Sequence, residues 1–236
     1  MTIQETHASV AEVLPLTDTI LQLVLAPERF IDYQAGQYLQ LLYGDIEAYY
    51  SIANAPLGTR KYVLHIRHSR DNPSDKRLLD EIRRGGVMTL RAPFGVCDFQ
   101  HLDPVKPILF IAAGTGFAPV NAMIEQLLML GDSRRFELVW SARTQSDLYL
   151  DEKVKQWQNH VHQFKYVSLL TSYRKKTPAA VVLSRHAHDL HDWQIVISGP
   201  FEMVYHTRDQ LVAQGVSLDN LFSDAFQFEF ESKQDE

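Results

Sequence analysis

Residues 107–119 read PILFIAAGTGFAP, an apolar run that passes directly into a glycine-rich turn. The pattern predicts a buried strand, a tight turn and a helix that begins at Pro119. Gly114 and Gly116 would let the backbone approach a ligand, Thr115 offers a hydroxyl, and the helix N-terminus favours an anionic or electron-rich group. A tight turn without a ligand explains an isolated Gly-x-Gly about as well. Because Pro119 replaces the third glycine of the dinucleotide fingerprint, the ordinary Rossmann interpretation is weakened.

Downstream of this segment, apolar runs alternate with helical patterns, as expected for parallel strands joined by helical crossovers. Strands are predicted at residues 108–113, 136–141, 165–170 and 194–198. Helices are predicted at 119–130, from about 147, from the cap Thr177 and Pro178, and from Gly199 and Pro200 to Gly215. We expect residues 104–236 to form an α/β nucleotide-binding domain with a parallel sheet.

The first hundred residues follow a different pattern, with short strands separated by turn residues. Six strands are predicted, at residues 7–14, 19–25, 37–43, 49–53, 62–67 and 87–91. A helix at 75–84, ended by Gly85 and Gly86, interrupts them. We expect residues 1–103 to form a six-stranded antiparallel β-barrel, with the domain boundary near residues 103–107.

Composition limits the classes of function. The 236 residues are 45% hydrophobic and 22% charged, which is typical of globular domains. The formal charge of −6 argues against broad binding to nucleic acid or to an anionic membrane, so small molecules are the expected ligands. The first residues, MTIQETHASV, resemble no signal peptide, and no stretch approaches the roughly 20 apolar residues of a spanning helix. A cytoplasmic location is therefore expected.

Cysteine and histidine content argues against a metal centre. Cys97 is the single cysteine, which excludes an intramolecular disulfide, a four-cysteine zinc site and a cysteine-ligated iron–sulfur cluster. His186, His188 and His191 are close in sequence, but their spacing does not place them on one helical face. We expect no metal, so redox chemistry would require a bound organic cofactor.

Several further segments occur in an informative order. The front half carries AYYSIANAP at residues 48–56, LHIR at 64–67 and APFG at 92–95. The rear half carries AGTGFAP at 113–119, WSAR at 140–143, SGPFEM at 198–203 and FSDAF at 222–226. Together they resemble, over nearly the whole chain, the ferredoxin–NADP reductase superfamily and particularly its NAD(P)H-flavin reductase branch. AGTGFAP is the most specific match, to the family's GGTGxAP nicotinamide loop.

The resemblance implies an oxidoreductase that moves a hydride from nicotinamide C4 to flavin N5, with the two rings stacked between the domains. Ser51, orienting N5, and Thr115, holding the rings, are the expected catalytic residues. The expected flavin-binding residues are Tyr49, Tyr50, Ser51, His65, Ile66, Arg67 and Thr115. The expected NAD(P)-binding residues are Gly114, Thr115, Gly116, Phe117, Ala118, Pro119, Arg143, Gly199, Pro200, Phe201, Glu202 and Met203. The implied cofactors are riboflavin, FMN or FAD with NADH or NADPH.

One position departs from the family pattern. Ala48 stands where the family's flavin motif has an arginine that contacts the flavin phosphate. A charge-assisted contact contributes roughly 1.5 to 3 kcal/mol, so we expect a weakly bound, exchangeable flavin unless Arg67 or Arg70 compensates. Arg143 and the run Arg174-Lys175-Lys176 are candidate phosphate partners. Solvated surface charges explain them equally well, so the choice between NADH and NADPH stays open.

Two other functions fit the same segments. One is a reductase subunit that holds FAD tightly and passes electrons to a partner oxygenase or carrier. The other is a non-catalytic nucleotide-binding domain, in which Ala48 and Ser198, a serine where the family has cysteine, mark the decay of an active site.

Overall fold

The chain forms two compact units in a computed structural model that describes residues 2–69, 71–172 and 176–228. The first unit comprises Met1–Phe99 with Asn121–Gly131, and the second comprises Gln100–Val120 with Asp132–Glu236. The boundary that the sequence suggests, near residues 103–107, stays a prediction.

Six antiparallel strands build the first unit, as the sequence predicted. They are β1 (Gln4–Pro15), β2 (Ile20–Pro27), β3 (Tyr38–Tyr43), β4 (Ile46–Ser51), β5 (Tyr62–Arg67) and β6 (Val87–Phe94). Their order in the sheet is β4-β3-β6-β1-β2-β5. A bridge between Ile52 and Leu64 joins the two edges, so the sheet curls into a nearly closed barrel around an apolar core.

The helix α1 (Pro73–Arg83), which belongs to the first unit, begins two residues earlier than predicted. Asn72 is the reason, because its side chain accepts hydrogen bonds from the backbone N–H groups of Ser74 and Asp75. The predicted strand at 49–53 is likewise β4 at 46–51, since its pairing with β3 starts at Ile46.

The second unit contains a sheet of five parallel strands. These are β7 (Ile108–Ala113), β8 (Phe136–Ala142), β9 (Phe164–Leu170), β10 (Gln194–Ser198) and β11 (Leu221–Phe222), in the order β11-β10-β7-β8-β9. The remaining helices of the chain are α2 (Phe117–Met129), α3 (Asp151–His160), α4 (Pro178–Arg185), α5 (Phe201–Ala213) and α6 (Ala225–Phe228). The predicted α/β domain with a parallel sheet is confirmed.

Local capping explains the helix boundaries of the second unit. Thr177 caps α4 as predicted, because its hydroxyl accepts the backbone N–H of Ala180 at 3.1 Å. The helix predicted from about residue 147 is wrong in its start, since α3 begins at Asp151. Residues 145–147 instead form a 3₁₀ turn, stabilised by a capping box between Thr144 and Asp147.

Across residues 2–69, 71–172 and 176–228, no helix combines the length and the apolar character needed to cross a membrane.

Candidate functional site

The glycine turn lies at the carboxyl end of β7, next to the carboxyl end of β10. Gly114 has a φ of 54°, a left-handed conformation that glycine adopts without strain. Gly116 is required for a different reason: a Cβ there would lie 2.4 Å from the Ser198 carbonyl oxygen and 2.6 Å from the Gly199 nitrogen. The turn is therefore packed directly on the backbone of the β10–α5 loop.

The β10–α5 loop makes the reciprocal contact. A Cβ on Gly199 would lie 2.9 Å from the Cβ of Ala113 and 2.6 Å from the methyl group of Met203. Two sequence segments more than eighty residues apart are thus brought together at one edge of the sheet. Ligands of open parallel sheets bind outside the carboxyl ends of the strands. The contact between the glycine turn and the β10–α5 loop, called the joint below, lies at that place.

Three of the predicted NAD(P)-binding residues are buried and pack behind the turn. Phe117 is fully buried, with Ala118 and Pro119 also buried, and its ring stacks on Trp140 at a centroid distance of 4.0 Å. The Trp140 indole N–H donates to the Gly114 carbonyl oxygen at 3.1 Å. Trp140 fixes the turn, a role that its place in the sequence did not indicate.

Other candidate nucleotide residues face solvent. Thr115 is half-buried, and its hydroxyl makes no hydrogen bond with the described residues. Arg143 follows β8 and is exposed, without an ion pair in the described ranges. Pro200, Phe201 and Glu202 are exposed at the start of α5. Arg70, Arg174 and Lys175 lie outside the described residues.

In the barrel unit, Tyr49 and Tyr50 point to opposite faces of β4. Tyr49 is 57% exposed, and its ring meets Tyr38 and Phe94 edge-on at 5.9 and 5.6 Å. Tyr50 packs against the barrel core, where burial and a hydrogen bond to Tyr43 raise its pKa. A flat ligand lying on one face of the strand therefore contacts only one of these two tyrosines.

Ser51 ends β4 with a half-buried hydroxyl that makes no hydrogen bond with the described residues. On β5, Ile66 is 1% exposed and belongs to the barrel core, so a ligand would meet its backbone rather than its side chain. His65 is buried and Arg67 is half-buried on the same strand.

Two residues of α2 hold the segment that follows Ser51. Asn121, only 2% exposed, donates its side-chain N–H to the Ala53 carbonyl oxygen at 2.6 Å. Glu125 accepts the Ala55 backbone N–H at 3.1 Å and a second hydrogen bond from Asn121. Neither role was predicted, because only the apolar face of this helix was assigned from the sequence, although the i, i+4 spacing of the two residues was an available signal.

The chain is similar in sequence to known oxidoreductases. Residues 110–209 match the oxidoreductase NAD-binding domain family model. The chain is 28% identical, over 88% of its length, to the reductase component 1 of terephthalate 1,2-dioxygenase from Comamonas sp. It is 26% identical, over 94% of its length and 98% of the relative, to the NAD(P)H-flavin reductase of Aliivibrio fischeri. The chain spans 63% of the length of the Comamonas relative.

Solved structures share the fold. A ferredoxin NADP+ reductase from Neisseria gonorrhoeae with bound FAD and NADP superposes with a TM-score of 0.77 at 18% identity, covering 92% of this chain and 94% of that one. The chain thus carries an oxidoreductase NAD-binding domain at residues 110–209, and it is similar in sequence to an NAD(P)H-flavin reductase and in fold to a ferredoxin NADP+ reductase.

Proposed function

We propose that this protein is an NAD(P)H:flavin oxidoreductase whose flavin, riboflavin, FMN or FAD, is weakly bound and exchangeable. The observation that carries the proposal is the joint between Gly116 and the backbone of Ser198 and Gly199, where a Cβ would approach the carbonyl oxygen to 2.4 Å. Such a joint leaves bare backbone and a helix N-terminus at the edge of the sheet. A flat nicotinamide and its phosphates fit this surface.

The residues present fit the two cofactors chemically. When bound, the nicotinamide supplies a hydride and the flavin accepts it at N5. Ser51 carries an uncommitted hydroxyl that would donate a hydrogen bond near N5, and Thr115 carries another that would orient the nicotinamide side. Asn121 donates a hydrogen bond to the segment after β4 and Glu125 accepts one from it, and these two contacts would keep Ser51 in place. Alignment then supplies the catalysis, and no side chain has to move a proton.

Activity is tested by following the oxidation of NADH and NADPH with riboflavin, FMN or FAD added. We expect the rate to rise and saturate with added flavin, and the variant Ser51→Ala to lower kcat by about tenfold or more, since it removes one hydrogen bond to the reacting ring. If neither nucleotide is oxidised with any flavin, the proposal fails. That result would support a non-catalytic nucleotide-binding domain.

Weak flavin binding follows from Ala48. It packs partly buried against the barrel core on the same face of β4 as Tyr50, and it provides no cation there. Restoring the charge in Ala48→Arg should tighten flavin binding by roughly ten- to a hundredfold, as one charge-assisted contact provides. Dialysis followed by visible absorbance measures this. A wild-type protein that stays stoichiometrically yellow through dialysis would contradict the proposal.

A second candidate is a reductase that delivers electrons directly to a partner oxygenase or carrier. It is favoured by relatives that are reductase components of dioxygenase systems. The NAD(P)H-flavin reductase of Aliivibrio fischeri, 26% identical over 94% of this chain, favours the first candidate instead. Retention of FAD together with a stable complex with an oxygenase on gel filtration would establish the second candidate instead.

A further inference from the structure

A cluster of charged side chains occupies the amino edge of the parallel sheet. Glu137, the second residue of β8, is 2% exposed. Arg185, the last residue of α4, donates its Nε to one oxygen of this carboxylate at 2.6 Å and its terminal N–H to the other at 3.2 Å. This two-pronged contact satisfies and neutralises a carboxylate that is costly to bury.

His186 adjoins the pair and is 8% exposed. Its Nδ1 lies 3.2 Å from Asp189 Oδ1, and the other Asp189 oxygen accepts the Trp193 indole N–H at 3.2 Å. Its Nε2 lies 3.5 Å from Glu137 Oε2 and makes no hydrogen bond of good geometry. Both carboxylates are therefore matched, while one buried imidazole nitrogen keeps unused hydrogen-bonding capacity.

Around this cluster lies an open cavity of about 380 Å³. Three further basic side chains line it, from Arg135, His162 and Lys165. None of the three forms an ion pair with the described residues. The lining has more cationic groups than carboxylates, in a protein whose net charge is −6.

A ring contact positions the Arg135 guanidinium, and strand register fixes the face from which Lys165 extends. The Arg135 guanidinium lies over the Trp193 ring at 5.3 Å, and stacking of this kind leaves the in-plane N–H donors free to bind an anion. Lys165 pairs in register with Glu137 on the neighbouring strand, so its side chain leaves the same face of the sheet. Charge and donors thus converge on one cavity from two strands and a loop.

We propose that this cavity binds a phosphate-class dianion through Arg135, Lys165 and His162, with His186 as a further lining residue. Such an anion would meet Lys165 and His162, which form no ion pair with the described residues, and Arg135, which acts on Asp189 electrostatically without forming an ion pair with it. The site lies at the opposite edge of the sheet from the glycine turn, about 20 Å away along the seven residues of β8. It is a second ligand site, separate from the proposed nucleotide residues.

The test uses the full chain and the NMR signals of its histidine imidazoles. Inorganic phosphate and methyl phosphate are titrated at constant ionic strength, with sodium chloride replacing each in a parallel titration. We expect saturable shifts of the His186 and His162 signals with both phosphates and none with chloride. Arg135→Gln should weaken the apparent affinity roughly tenfold, and adding Lys165→Gln should weaken it further.

Arg143→Gln is the matched control, since it removes one exposed arginine charge from the other edge of the sheet. It should leave the phosphate response of His186 unchanged. Equal shifts with chloride, or an affinity in Arg135→Gln equal to that of the wild type, would overturn the proposal. Because Arg135 and Lys165 are both exposed, neither substitution opens the core, and retained thermal unfolding confirms that the variants fold. A response to inorganic phosphate but not to methyl phosphate would still support the site and identify the free ion as its ligand.

Discussion

The two edges of the parallel sheet are stabilised in opposite ways. At the carboxyl edge, Gly116 and Gly199 fit because they lack side chains, and the neighbouring hydroxyl of Thr115 is uncharged. At the amino edge, Glu137, Arg185 and their neighbours fit because their side chains satisfy one another. The first edge is therefore sensitive to added atoms, and the second is sensitive to lost ones.

This difference separates activity from stability. A change at the carboxyl edge moves backbone that the proposed nucleotide would contact, so its main effect should be on catalysis. A change at the amino edge leaves a buried charge without its partner, far from the proposed reacting atoms. Its main effect should therefore be on the free energy of unfolding. Substitutions at each edge can show whether this separation holds.

The largest effect is expected for Gly116→Ala. The added Cβ would lie 2.4 Å from a backbone oxygen, so the turn or the β10–α5 loop must shift by about an ångström. A displacement of this size in a positioning element can cost roughly a hundredfold in rate. We expect kcat/KM for NADH or NADPH to fall by that order, measured by steady-state oxidation with saturating flavin.

Gly131→Ala is the control for this substitution. Gly131 has a φ of 63° but nothing within 4 Å of an added Cβ, so it needs its conformation and not the space. It should lose about 1 kcal/mol of stability with unchanged kcat/KM. If Gly131→Ala lowers activity as much as Gly116→Ala does, close packing at the turn is not the cause.

Arg185→Met should produce the largest loss of stability at the amino edge. The substitution preserves much of the aliphatic stem but leaves Glu137, with its side chain 3% exposed, without its two-pronged partner. Because the arginine itself is 38% exposed, we expect a loss near the lower end for a broken buried pair, about 3 kcal/mol by urea unfolding. Turnover under stabilising conditions should change less than twofold.

Arg84→Met provides the comparison for this loss. Arg84 pairs with Glu81 on the exposed surface of the barrel unit, where both side chains contact water. Removing such a pair should cost less than about 1 kcal/mol. Equal losses in the two variants would mean that burial of Glu137 does not set the energy.

His186→Gln should reveal a pH dependence at the amino edge. The Glu137 carboxylate, assisted by Asp189, raises the pKa of His186 above its ordinary 6.5. Burial alone would raise the pKa of Glu137, but its contacts with His186 and Arg185 outweigh burial and lower it below its ordinary 4.5. The imidazolium thus contributes stability that is fully present below pH 6.5 and is lost as the pH rises through the raised pKa.

The carboxylate contributes stability that is present above pH 4.5 and is lost as the pH falls through the lowered pKa. The two contributions overlap between these values. Urea unfolding of wild type and His186→Gln should therefore differ most near pH 5.5 and least at alkaline pH. A difference in stability that stays constant from pH 5 to pH 9 would show that protonation of His186 plays no part.

The carboxyl edge could be predicted from the sequence because its requirements are local. An apolar run, two glycines and a proline specify strand, turn and helix within thirteen residues, and β7 lies at 108–113 as predicted. The small errors came from capping, as at Asn72 and Thr144, where a polar side chain near the boundary fixes the helix start or forms a separate turn. Period-two alternation would also have separated Tyr49 from Tyr50, had it been applied to that strand.

The amino edge could not be predicted in the same way. Its charged residues come from the start of β8, the end of α4 and the following loop, and no short pattern links them. In the sequence, His186 suggested only a metal ligand, together with His188 and His191. Its partners, Glu137 and Asp189, became visible only when the sheet register placed β8 beneath α4.

The smallest expected effect concerns Arg143, an exposed cation that follows β8 at the carboxyl edge. If it pairs with the 2′-phosphate of NADPH, the contact lies in solvent and contributes about 1 kcal/mol. Arg143→Gln should then raise KM for NADPH about fivefold and leave KM for NADH unchanged. An equal rise in KM for both nucleotides would assign the arginine to the pyrophosphate that they share. No change in either KM would mean that nucleotide binding at this edge relies on backbone and hydroxyl groups alone.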